Sequence, residues 1–156
     1  MLTFRPARPD APDARALLEE YFAARAADFP GGSYSPTFPA PDAFAEPDGV
    51  LLLANDEQGA LVGCGAIRRL AVDAPGTVRF EVKHIFLRGD SRGRGWGVEL
   101  MAELERRAID WGATELVLDT HHTLVPAGRL YARLGYEQVE AYNDNPNATR
   151  WYRKAV

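Results

Sequence analysis

The stretch from Glu81 to Gly112 constrains the chain most. It opens with Glu-Val-Lys-His-Ile-Phe-Leu, continues as Arg-Gly-Asp-Ser-Arg-Gly-Arg-Gly-Trp-Gly, and ends in Val-Glu-Leu-Met-Ala-Glu-Leu-Glu-Arg-Arg-Ala-Ile-Asp-Trp-Gly. These pieces read as a strand, a glycine-rich basic loop and an amphipathic helix. A helix that starts on such a loop is an anion site. Its first backbone N–H groups lack intrahelical partners, and the positive end of its dipole points the same way. The glycines let the main chain come close to a bulky group and adopt positive φ. Arg88, Arg92 and Arg94 add positive charge. The implied ligand is a phosphate or pyrophosphate.

Spacing separates the kinds of phosphate loop. A P-loop ends in Gly-Lys-Ser/Thr, whereas Gly95 is followed here by Trp96 and Gly97. The dinucleotide fingerprint needs G-x-G-x-x-G, and Val98 stands where its last glycine belongs. Arg92-x-x-Gly95-x-Gly97 instead resembles the pyrophosphate motif of the GNAT superfamily, the acyl-CoA-dependent N-acetyltransferases. That motif follows a strand and opens a helix.

Leu2 and Phe4 mark a first short strand. Asp10 is the candidate cap of a helix with Pro12 in its first turn. Ala14, Leu17, Leu18, Tyr21 and Ala24/Arg25 trace the core-facing side of that helix, and Phe29-Pro30-Gly31-Gly32 ends it. Ser33 to Pro47 reads either as a loop ordered by ligand, with a short helix around Asp42–Ala45, or as a plain surface loop. Val50–Ala54, Ala60–Leu70 and Thr77–Leu87 read as an antiparallel meander, with Gly63 and Gly65 signalling a bulge or a close backbone approach. In the helix after the loop, Val98, Met101, Leu104, Ala108 and Trp111 share a face, and Gly112 closes it. Thr114–Thr120 is a strand reached by a crossover, so it pairs in parallel with the strand before the loop. Pro126 starts a second short helix that stops at Gly135. Tyr136–Val139 is a further strand, and Trp151–Arg153 is expected as a last, edge strand.

This order is that of the GNAT fold: an α/β domain with a mixed, mostly antiparallel six- to seven-stranded sheet, a central splayed parallel pair, and helices on both faces. The resemblance covers nearly the whole chain, read as a single domain over 1–156. Ala127-x-x-Leu130-Tyr131-x-x-x-Gly135-Tyr136 is similar to a second family segment, Ala-x-x-Leu-Tyr-x-x-x-Gly-Phe. Many members carry an Asn three residues before that Ala, against the pantetheine arm; here the position is Leu124.

The resemblance implies a chemistry. Acyl transfer from a thioester to an amine needs a neutral amine, a donor for the developing oxyanion and a proton for the departing thiolate. It places the acetyl-CoA pyrophosphate on Arg92, Gly93, Arg94, Gly95, Trp96 and Gly97. The pantetheine arm would run between the strands ending at Leu87 and Thr120, held by main-chain groups of Ile85, Phe86 and Leu87. Tyr131 matches the family tyrosine near the CoA sulfur, and a phenol of pKa about 10 is protonated at neutral pH. Glu81, acting through water, is one candidate base; His84 is the other. Strict alternation puts them on opposite faces, and a bulge would change that. His121 and His122 lack metal-ligand spacing and read as a polar strand end; no metal is expected. Cys64, flanked by glycines, reads as a small buried residue. Asp144, in the turn-rich segment Tyr142–Asn147, is a candidate for a cationic substrate group, though a solvated loop is the plainer reading.

The rest of the sequence narrows the setting. A net charge of −4 argues against broad nucleic-acid binding. No apolar run spans a bilayer, the N-terminus lacks the apolar core of a signal peptide, and one cysteine gives no disulfide framework. A cytoplasmic protein is expected, with a homodimer conceivable through the Trp151–Arg153 edge. The leading expectation is an N-acetyltransferase that moves acetyl from acetyl-CoA to the primary amine of a small molecule or amino acid, by direct attack in a ternary complex. The alternatives are a non-catalytic acyl-CoA sensor and a peptide or protein N-acetyltransferase.

Overall fold

The computed structural model describes residues 1–91 and 93–156; Arg92, assigned above to the pyrophosphate loop, lies outside the described residues. The elements follow in the order β1 (Thr3–Pro6), α1 (Pro12–Asp28), β2 (Gly49–Asn55), β3 (Leu61–Leu70), β4 (Arg79–Leu87), α2 (Trp96–Asp110), β5 (Glu115–Thr120), α3 (Val125–Arg133), β6 (Glu137–Val139) and β7 (Arg150–Ala155). The seven strands form one sheet in the order β1-β2-β3-β4-β5-β7-β6. Among the described residues only β4 and β5 pair in parallel; the other neighbours are antiparallel.

The apolar run of β2 shows why both faces are covered. Val50 and Leu52 point to the side where Ile67, Phe80 and Val82 meet Leu100, Met101 and Leu104 of α2. Leu51 and Leu53 point the other way, onto Ala14, Leu17 and Leu18 of α1. A strand buried on both faces has no polar side to alternate with. Tyr131 of α3 joins the α2 side.

Three expectations change. The α1 cap is Ala11, not Asp10, whose carboxylate takes Arg8 at 3.1 Å. Asp13, inside the first turn, accepts the N–H of Ala14 instead. Residues 42–45 form turns and bends rather than a helix; Pro47 biases Glu46 away from the helical region, which leaves too short a run for a helix. Trp151–Arg153 is not an edge. β7 lies between β5 and β6, so the sheet ends at β1 and β6, and the dimer route through β7 is lost.

Two irregularities in β4 build the site. The β4–β5 ladder runs only from Arg79–Glu115 to Glu81–Val117, so the strands part beyond it. On the other side, Cys64 faces Phe86 but Ala66 faces Lys83, so His84 and Ile85 share the single partner Gly65. That is a bulge, with His84 at φ 55°. The glycines of β3 make it possible: a Cβ at Gly63 would lie 2.4 Å from the Phe86 carbonyl, and one at Gly65 would lie 2.8 Å from Ile85 Cδ1.

Candidate active site

The parted strands open into a cleft of about 1730 Å³. A single drug-sized ligand takes roughly 300–1,000 Å³, so this volume suits two molecules together. Its walls include Val82 to Leu87 of β4 and Leu118 to Thr120 of β5, so Ile85, Phe86, Leu87 and Thr120 all reach it. Beyond Glu81 the β5-facing main-chain groups of β4 have no strand opposite, which leaves them for a ligand.

At one end stands the start of α2. Gly93 and Gly95 both adopt left-handed φ, at 79° and 75°, and Gly95 is the helix cap. Nothing lies within 4 Å of a Cβ built on Gly95, so glycine is required there by conformation and not by crowding. At Gly97 the approach is close instead, since a Cβ there would lie 3.0 Å from the end of the Leu130 side chain. The first-turn amides of Trp96, Gly97 and Val98 have no intrahelical acceptor, and these residues line the cleft with Gly93 and Gly95. The Trp96 ring is buried among Leu2, Ala54, Val62 and Leu87, anchoring the helix start to the sheet.

The arginines of this loop divide. Arg94 stacks over Trp96 at 4.9 Å and does not line the cleft. Arg88 is spent on structure: it bonds Glu20 of α1 at 3.1 Å and the Leu61 carbonyl at 2.6 Å. The Arg88 charge therefore serves to tie α1 to the end of β4.

The three catalytic candidates occupy different settings. Tyr131 is buried against Tyr136 and Tyr152 but lines the cleft. Burial pushes its phenol up to about 12, so it holds its proton throughout the neutral range. Glu81 is 1% exposed and is not part of the cleft wall. Its carboxylate accepts Arg68 Nε at 2.9 Å and the Tyr142 hydroxyl at 2.7 Å, with Lys83 Nζ at 3.6 Å. His84 does line the cleft, boxed edge-on by Tyr21, Phe22 and Phe44. Burial, with Lys83 and Arg68 nearby, drives its pKa down to about 3, so the imidazole is neutral.

The remaining candidates are quieter. The His121 and His122 rings stack at 4.5 Å, and their Nδ1 atoms bond Thr123 and Thr149. Among the described residues no group of three or more His, Cys, Asp or Glu side chains could hold a metal ion. Cys64 is buried with its thiol pushed up to about 12 by desolvation. Leu124 caps α3 without a side-chain hydrogen bond and lines the cleft. Asp144 is exposed and lies outside the cleft wall.

The rest of the cleft wall includes side chains with no individual role assigned from the sequence, several of them on the segments Ser33–Pro47 and Tyr142–Asn147. Asp119, at the end of β5, accepts Asn143 Nδ2 at 2.7 Å and Asn145 Nδ2 at 3.2 Å. Asn147 exchanges two hydrogen bonds with the main chain of Ser35, closing the wall between the two loops. Arg25 of α1 projects into the same region. Its signal was present: an arginine four residues after Tyr21, on the side of α1 that otherwise faces the core.

The family model described as acetyltransferase (GNAT) family matches residues 14–136, most of the chain and every element from α1 to α3. The chain belongs to this family. Among GNAT relatives, an uncharacterized N-acetyltransferase of Schizosaccharomyces pombe is 38% identical over 103 residues, which are 66% of this chain and 61% of that protein. The chain thus spans under two thirds of the length of that curated relative. An acetyltransferase of the GNAT family from Staphylococcus aureus superposes with TM-score 0.79 at 14% identity, covering 99% of each chain. A GNAT acetyltransferase from Elizabethkingia anophelis with acetyl-CoA bound superposes with TM-score 0.65 at 14% identity, covering 99% of this chain and 98% of that one. At such identities these two likenesses concern the fold.

No helix among the described residues is long and apolar enough to cross a membrane.

Proposed function

We propose that the chain is an N-acetyltransferase that binds acetyl-CoA along the parted strands and transfers the acetyl group directly to the primary amine of a small molecule. The observation that carries this reading is that one cleft joins a glycine-capped helix start, unpaired main-chain groups of a bulged strand and a protonated tyrosine. The residues suit the co-substrate: amides at a helix N-terminus for a pyrophosphate, and a strand edge without a partner for an amide-bearing arm. Acetyl-CoA supplies the activated acetyl thioester.

The chain does the rest. Main-chain N–H groups at the β4 bulge stabilise negative charge on the acyl oxygen. Tyr131 donates its proton, or a hydrogen bond, to the departing sulfur. Fixing both substrates in one cleft supplies much of the rate. Glu81 stays an anchor for Arg68 and Tyr142. A group with the basicity of His84 does not retain a proton taken from an alkylammonium ion, so the amine loses its proton to water in the open cleft, beside a neutral imidazole.

The test is CoA release measured with a thiol reagent. It must depend on both acetyl-CoA and an amine, and its pH dependence must follow the pKa of the amine. Release that no amine in a broad panel raises above the acceptor-free rate refutes the reading and favours an acyl-CoA sensor.

A further inference from the structure

Arg25 is a cation with no anion. Its Nε is buried and has no hydrogen-bond partner. One terminal nitrogen reaches the Asn147 carbonyl only at 3.5 Å, and the guanidinium lies 5.4 Å from the centroid of the Tyr34 ring. No carboxylate among the described residues comes within 4 Å of it. An arginine presents a planar fork of donors that matches a carboxylate, and a buried donor left empty is costly. The other cations at this end are committed, since Arg68 and Lys83 both face Glu81.

Across the same cleft Asp119 has the opposite lack. It receives two amide N–H groups, and no cation among the described residues pairs with it. Both charges act on Tyr131: Arg25 pulls its pKa down and Asp119 pushes it up. An unpaired cation and an unpaired anion thus line the same cleft as the tyrosine.

We infer that the acceptor is an amine that also carries a carboxylate, of the α-amino acid type, with the carboxylate on Arg25 and the amino group on the Asp119 side next to Tyr131. This rests on the transferase reading and names the substrate class of that site. The Tyr34 ring, under the guanidinium carbon of Arg25, favours the cation and helps to hold it in the cleft. Ser35 and Asn147 close the wall behind it.

The experiment compares amino acids with their methyl esters, at saturating acetyl-CoA, in wild type, Arg25→Ala and Arg25→Lys. Calorimetry of the same amino acids on CoA-loaded protein runs beside it. Wild type should favour acid over ester by roughly 10- to 100-fold in kcat/KM, through KM. Arg25→Ala should bring that ratio to about one with Tm unchanged, and Arg25→Lys should restore part of it. Amino-acid binding that Arg25→Ala abolishes, without any turnover, sinks the transferase reading and upholds the carboxylate site. Turnover with equal efficiency for acid and ester, or an Arg25→Ala loss shared by both, overturns the inference. So does an absence of both turnover and amino-acid binding.

Discussion

Tyr131 and His84 show how the setting, more than the residue type, assigns a role. Tyr131 keeps its proton because burial raises its pKa to about 12. Replacing it by Phe removes the donor and keeps the packing, so kcat should fall by about 10²-fold or more while the acetyl-CoA dissociation constant holds. An equal loss in both would make Tyr131 a packing residue. For His84 the folded pKa of about 3 lies below an unfolded value of about 6.5. Between those values the unfolded chain binds the extra proton, so stability is full above about pH 6.5 and drains as pH falls toward 3. His84→Phe should therefore flatten the fall of Tm with acidification while changing Tm little at pH 8; an unchanged slope would contradict the burial of a neutral ring. Tyr131 was legible in the sequence because its motif is local. Glu81 was legible as a carboxylate but not as a committed one, because its partners Arg68 and Tyr142 lie 13 and 61 residues away.

Strand β4 is the element on which the site depends, and its shape comes from glycines on its neighbour. Gly63 and Gly65 of β3 leave room for the bulge at His84 and Ile85. At Gly63 an added methyl meets the Phe86 carbonyl, which cannot move without breaking the ladder. At Gly65 it meets the ends of the Ile85, Leu104 and Leu100 side chains, which can turn aside. Gly63→Ala should cost about 1–3 kcal/mol, and Gly65→Ala clearly less, by urea denaturation; the reverse order would show that the bulge does not depend on close approach at Gly63. The glycine spacing made an irregularity legible in the sequence. It did not show that the irregularity brings His84 to the α1 side, where Tyr21, Phe22 and Phe44 enclose it. That outcome turns on one residue taking positive φ, which alternation does not encode.

At the scale of the whole molecule, the sheet works as two halves that part at their join. The β1 to β4 half carries the bulge, and the β5, β7 and β6 half carries Asp119 and the asparagine loop. Below the opening the halves are held by Glu115, which binds Arg79 of β4 at 2.6 Å and Arg153 of β7 at 3.0 Å. Element order was readable because periodicity and turn residues are local signals. Strand order was not: β7 enters between β5 and β6 through long-range pairing, and this removed the expected edge at Trp151–Arg153. The acceptor end was the least legible, because Arg25, Asp119 and Asn147 come together only when α1, β5 and the loop before β7 converge. Acetyl-CoA lying along this join is the central requirement, and thermal unfolding with and without it is the test. At about 100 times its dissociation constant the ligand should add about 2.7 kcal/mol of stability. A clear rise in Tm, lost in Gly95→Asp where a side chain and a negative charge meet a left-handed cap, is the predicted result. No rise in the wild type at millimolar acetyl-CoA would contradict the account and take the assigned site with it.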